Sequence, residues 1–180
     1  MSSLLVVQGI SVSQSMRIIA LYVGGRRVVL EDSSQILSRG NQALQTLERY
    51  KNRLDEVSSN LSALEVEDLV TIRDVVMVLQ RIEMVMRIAE EILADIVELG
   101  SDGRLVRLQL DEVMGGVEDE RRQVIRDYFH EESGWRLDQA MAALADLETD
   151  DLLDLKAVAE MLHLPEGVSD LDASLQPKGF

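Results

Sequence analysis

Cysteine is absent from the sequence, so neither a disulfide framework nor a thiolate metal site is available, and the chain fits a reducing compartment. There is no Gly-rich phosphate loop of the GxxxxGKS/T kind and no GxGxxG. The two histidines, His130 and His163, are far apart and neither has a second ligand four residues on, so both read as ordinary surface or packing residues. "DDLLD" lacks the glycine and the alternating oxygen ligands of a calcium loop and reads as a helix start. Nothing assembles a nucleophile with a base, or paired carboxylates with a pocket. Positive charge is also scarce: 18 Lys/Arg stand against 33 Asp/Glu, a formal net charge of −15. Residues 1–57 carry seven Lys/Arg against five Asp/Glu, residues 58–129 eight against sixteen, and residues 130–180 three against twelve. A nucleic-acid surface needs clustered Lys/Arg to displace counterions from phosphates, so charge argues against DNA or RNA binding by this chain alone. "MSSLLVVQG" has no basic start, and its apolar run is too short for a signal peptide or a span, which leads us to expect a soluble, cytoplasmic protein with no membrane partner.

What is present begins with a β pattern. In "ISVSQSMRIIALYVGGRRVVLED", Ile19, Leu21 and Val23 alternate with Ile18, Ala20 and Tyr22, Gly24-Gly25 offers a tight turn, and Val28-Val29-Leu30 forms a return strand. Both faces of the first strand are apolar, as in a strand inside a larger sheet. An isolated hairpin is marginal in water, so these strands call for neighbours.

Helical patterns follow. Asp32, Ser33 or Ser34 can cap a first helix whose Leu37, Leu44, Leu47, Leu54, Val57, Leu61 and Leu64 form one apolar stripe. Gly40 interrupts it, which suggests a close packing contact or a bend. Arg49, Lys51 and Arg53 with Asp55 and Glu56 read as a solvated face. Ile72, Val75, Leu79, Ile82, Met86, Ala89, Leu93 and Ile96 then keep a strict alternation of three and four. Val78, Val85, Ile92 and Leu99 widen that buried face beyond a two-stranded seam, so this helix belongs in the core of a bundle. Shorter helices are expected in "LVRLQLDEVM", "EDERRQVIRDYF", "GWRLDQAMAALADL" and "DDLLDLKAVAEMLHL", the last starting at Thr149. The methionines read mostly as core filling and Trp135 as a packing residue.

"SVSQSMRIIALYVGGRRVVLED", with "ILSRGNQALQTLERYKNRLDEV", "LSALEVEDLVTIRDVV", "VELGSDGRLVRLQLDEV" and "VIRDYF", resembles the DisA family of bacterial diadenylate cyclases, from about Ile10 to Phe180. In that family an α/β cyclase domain is followed by a helical spine and a helix-hairpin-helix module that binds branched DNA. The resemblance implies a mainly α fold: a helical bundle preceded by a β-hairpin remnant of the cyclase sheet. Residues 1–57 would hold the end of the cyclase domain, and residues 58–180 the linker or spine.

The resemblance also implies what is missing. The family condenses two ATP with Mg or Mn into cyclic di-AMP, using DGA and RHR motifs that lie upstream of "ISVSQS". Neither motif occurs; the one Asp-Gly pair is Asp102-Gly103, and no Arg-His pair exists. Near the family's nucleotide site, Ser13 with Gln14 beside it maps onto this chain, though both read equally well as polar residues at a strand end. We expect a truncated, catalytically incompetent chain with no cofactor of its own, reaching ATP and branched DNA only through regions missing here, in a family of homo-oligomers. A free-standing acidic helical adaptor or oligomerisation module is the alternative.

Overall fold

In the computed structural model, which describes residues 7–13, 18–128, 137–162 and 170–177, Asp32 marks the change from strand to helix. Before it lie β1 (Val7–Ser13), β2 (Ile18–Val23) and β3 (Arg26–Leu30), an antiparallel sheet in the order β1-β2-β3. Gly24 and Gly25 both have positive φ, 57° and 76°, the pair of left-handed positions that a two-residue hairpin turn demands. Val23 accordingly pairs with Arg26 and Ile19 with Leu30. The alternating pattern revealed this hairpin but not its third strand: Ser13 pairs with Ile18 and Ile10 with Leu21, with a bulge between Val7 and Gly9. The strand with two apolar faces is the middle one.

Asp32 is the N-cap of α1 (Ser33–Glu67), its carboxylate accepting from the Ser34 N–H at 2.8 Å. At 35 residues, α1 is about 50 Å long. It is one unbroken helix across residue 57, where the charge balance changes. Asp68 ends it in the left-handed region, and Thr71 starts α2 (Ile72–Leu99) with a capping box: the Thr71 side chain accepts from the Asp74 N–H, while Asp74 accepts from the Thr71 N–H at 3.0 Å. The two helices pack antiparallel, early α1 against late α2.

The stripes read from the sequence are the core. Leu44, Leu47, Leu54 and Leu61 of α1 and Val75, Val78, Leu79, Ile82, Val85 and Ile92 of α2 are buried. Gly40 is buried where α1 crosses its neighbours; a Cβ there would lie 3.7 Å from Val106 Cγ1, so it is a packing position in a continuous helix. A 3-10 turn, Gly100–Gly103, leads into α3 (Arg104–Val113), followed by α4 (Val117–Tyr128), α5 (Leu137–Asp146), α6 (Thr149–Leu153) and α7 (Leu155–Met161). The single helix expected from Thr149 is therefore two. Asp154 is extended (φ −92°, ψ 109°) and caps α7 through the Lys156 N–H at 2.9 Å, a side-chain bond that competes with continued helix.

The segment at residues 170–175 returns to the α1–α2 turn. Ser174 bridges Thr71, the Ile72 and Arg73 N–H groups donate to Ala173 and Leu171, and the Leu175 N–H donates to Val70. The first amides of α2 have no partner within their own helix, and this segment supplies one.

Candidate functional site

Along α2, polar side chains reach outward to hold the later elements. Gln80, buried beside Leu79, donates from Nε2 to the Leu152 carbonyl at 2.7 Å, at the end of α6. Two turns further on, the Arg87 guanidinium donates to the Leu147 and Ala145 carbonyls and to Thr149 Oγ1, so it caps the last turn of α5. At the start of α2, Arg73 Nε donates to Asp172 Oδ1 at 2.8 Å. That bond holds the Asp172 carboxyl below the ordinary carboxylate range.

Between these lies a buried charge pair. Glu83 of α2 and Arg121 of α4 are 3% and 4% exposed. Glu83 Oε2 sits 2.9 Å from Arg121 Nη2, close enough to pair as charges but off the line of a hydrogen bond; Arg121 Nε has no hydrogen-bond acceptor. The same Nη2 donates to the Met141 carbonyl of α5 at 2.7 Å. Burial pushes the Glu83 carboxyl up, against the pull of Arg121 and then Arg87. One arginine thereby pins α2, α4 and α5 at a point.

Two further clusters involve α1. Tyr128, buried at the end of α4, donates its hydroxyl to Glu65 Oε1 at 2.6 Å, and burial first, then Glu65, pushes the phenol well up. Near the other end of α1, Arg39 forks: Nε and Nη2 reach Asp95 Oδ1 at 3.1 and 2.6 Å, and Nη1 reaches Glu31 Oε2 at 2.7 Å. Glu98 lies 3.9 Å from Nη2.

Among the described residues, no group of three or more His, Asp or Glu side chains could hold a metal ion. No described helix is long and apolar enough to cross a membrane. Ser13 ends β1, half-buried and paired in register with Ile18; Gln14, His130, His163 and Trp135 lie outside the described residues. Asp102-Gly103 belongs to the 3-10 turn, where a Cβ on Gly103 would come within 3.1 Å of the Ile96 carbonyl and of Leu99 Cβ. Close packing is reason enough for that glycine. Lys51 pairs with Asp55 on the solvated face of α1.

The arginines and the buried polar residues of α2 did not stand out in the sequence, yet a signal was there. Gln80 and Glu83 interrupt the widened apolar face of α2, and Arg121 stands four residues from both Val117 and Ile125, on the stripe α4 buries. A polar side chain at such a position has to find a partner.

The sheet offers a different kind of surface. Ile10, Val12, Ile19, Tyr22, Val28, Val29 and Leu30 are all exposed. Among the described residues the strands pack on one another and make no more than marginal contact with any helix.

A family described as the DisA bacterial checkpoint controller linker region matches residues 30–171. The DNA integrity scanning protein DisA of Kineococcus radiotolerans is 59% identical over 173 residues, covering 95% of this chain and 48% of that protein. Its namesake in Streptomyces coelicolor is 59% identical over 174 residues, covering 95% and 46%, and that of Frankia alni 56% over 172 residues, covering 95% and 48%. The chain spans about half the length of the curated relatives it matches.

Proposed function

The chain belongs to the DisA family, through its linker region, and from that premise we propose that it acts as the helical spine of a DNA-integrity-scanning protein, contributing scaffold rather than chemistry. The observation that carries this reading is the sheet's exposed apolar residues, which among the described residues no helix firmly covers, at the start of the helical body. Such a sheet is built to be continued, and a spine is what joins one working part to another.

In this reading β1–β3 complete the sheet of an α/β cyclase domain. The condensation of two ATP into cyclic di-AMP, with Mg or Mn, and the scanning of branched DNA belong to parts of the relatives outside the matched half. Ser13, with Gln14 next to it, is where the chain approaches the nucleotide. Phosphoryl transfer depends on positioned phosphates and on neutralising their charge. DGA and RHR, which the family resemblance assigns to that task, do not occur in these 180 residues. The acidic balance of residues 58–180 likewise opposes contact with DNA phosphates.

The purified chain, incubated with ATP and Mg²⁺ or Mn²⁺, should yield no cyclic di-AMP above a protein-free blank by chromatography. It should not shift a Holliday junction at physiological salt, where non-specific contacts weaken steeply. Dinucleotide formed in proportion to added chain, or a junction complex that survives salt, would overturn the assignment of scaffold alone.

A further inference from the structure

β3 ends at Leu30 and α1 begins at Ser33, so the sheet is carried on a connection of two residues, Glu31 and Asp32. Asp32 is held as the N-cap of α1, so the soft dihedrals that remain in this connection are those of Glu31, and among the described residues no helix packs firmly against the sheet to fix its direction. Arg39 stands where that freedom can be removed. Its Nη1 holds the carboxylate of the connecting residue Glu31 at 2.7 Å, while Nε and Nη2 hold Asp95 on the second helix. Asp95 is firm ground: its side chain is 12% exposed, and it lies on the buried side of α2 against α1, where a Cβ on Gly40 would be in ordinary contact with Oδ2 at 4.0 Å. A planar guanidinium with donors on two edges can hold both carboxylates in fixed directions, which the single point charge of a lysine cannot.

We infer that Arg39 is a positioning residue that locks the direction of the sheet relative to the helical body by bridging Glu31 to Asp95. The lock is a property of this chain by itself, so its test is separate from the test of the spine assignment. In the proposed role it sets the direction in which the sheet meets whatever continues it.

The absence of cysteine makes the measurement direct. Spin labels are placed on the full chain at Arg27→Cys in β3 and Glu91→Cys in α2, both exposed positions, and their distance distribution is read by pulsed electron resonance. A second pair, Glu56→Cys and Glu91→Cys, reports on the helical body alone. R39Q, E31Q and D95N should each at least double the width of the sheet-to-body distribution and leave the body pair unchanged; R39K should fall between. E31Q decides the matter, because it leaves the α1–α2 bond of Arg39 to Asp95 untouched and lies on the exposed side. Broadening with E31Q supports the lock. A distribution that stays narrow in both E31Q and R39Q, or broadens only in D95N, makes Arg39 a staple between helices and overturns it.

Discussion

The sheet and the helical body are both rich in Val, Ile and Leu, and they dispose of them in opposite ways. Along α2, apolar residues at spacings of three and four turn to one side and disappear: Val75, Val78, Ile82, Val85 and Ile92 are fully buried. Along β2 and β3, alternation sends apolar residues to both faces, and Ile19, Tyr22, Val28 and Val29 remain 40–49% exposed. A helix can satisfy its stripe against one or two neighbours brought by a short turn. A strand with two apolar faces needs a layer on each. Local sequence thus closes the helical region on itself, while among the described residues the sheet keeps much of its apolar surface exposed.

The widest separation between the two regions should appear under a buried charge. Leu79→Asp or Ile82→Asp puts a carboxylate into the centre of α2 at a cost of several kcal/mol, much of a total stability of about 5–15 kcal/mol. Helical circular dichroism should be lost at temperatures where the parent chain is intact. Ile19→Asp should leave the helical melt nearly in place. A chain beginning at Ser33 should keep that melt and elute as a smaller species in sizing chromatography, because an uncovered apolar edge is a template for association. If Ile19→Asp melts as early as Leu79→Asp, and removal of the sheet leaves self-association unchanged, the two regions are one cooperative unit.

Within the helical body the next largest effect belongs to the buried charges. Arg121→Ala leaves Glu83 buried without its partner and the Met141 carbonyl without its donor. Loss of one member of a buried pair costs about 3–5 kcal/mol, whereas replacing both by apolar groups of similar size is often neutral. Urea titrations should therefore show Arg121→Ala strongly destabilised and Glu83→Leu with Arg121→Met largely restored. A double variant no better than the single one would show that the charges themselves, and not the space they fill, hold α4 and α5 on α2.

The smallest effect is expected at the return segment. Asp172 has its carboxyl lowered by Arg73, so the stability it contributes is present above the ordinary Asp range and is lost as pH falls through the depressed folded value. Both partners are exposed, and salt screens them. A carbon-detected NMR titration should place Asp172 below the ordinary Asp range, and Arg73→Gln should return it there. A midpoint already ordinary in the parent chain would remove Arg73 from the account of how this segment is held.

How far the fold was legible follows the same division. Periodicity exposed α1 and α2 with their buried faces, since the intervals between Leu44, Leu47, Leu54 and Leu61 are set by the helix itself. The hairpin was legible for the same reason, through Gly24-Gly25 and the alternation before it. β1 was legible only in part: Ser13 read as a strand end, as it is, but "VQGISVS" mixes Gly and Ser into a short run whose pairing with β2, not its alternation, gives it strand character. The break at Asp154 was hidden by good helix formers on both sides; only the competing Asp154 side chain divides them. The Glu83–Arg121 and Arg39–Asp95 contacts join residues 38 and 56 positions apart. Spacing along one helix says which face a residue occupies, and only the packing of helices says whom it meets.

The pairing of Ser174 with Thr71 makes the helical body a closed mechanical loop. A pull applied between β3 and residue 177 runs along α1 to the turn at Val70 and leaves through the hydrogen bonds of residues 171–175, a shorter path than the covalent one through α3 to α7. Those five helices lie in parallel with a short tether and are joined to it through their packing on α1 and α2. Once Ile72, Arg73 and Leu175 have let go, the covalent route through the five helices carries the whole load between the ends.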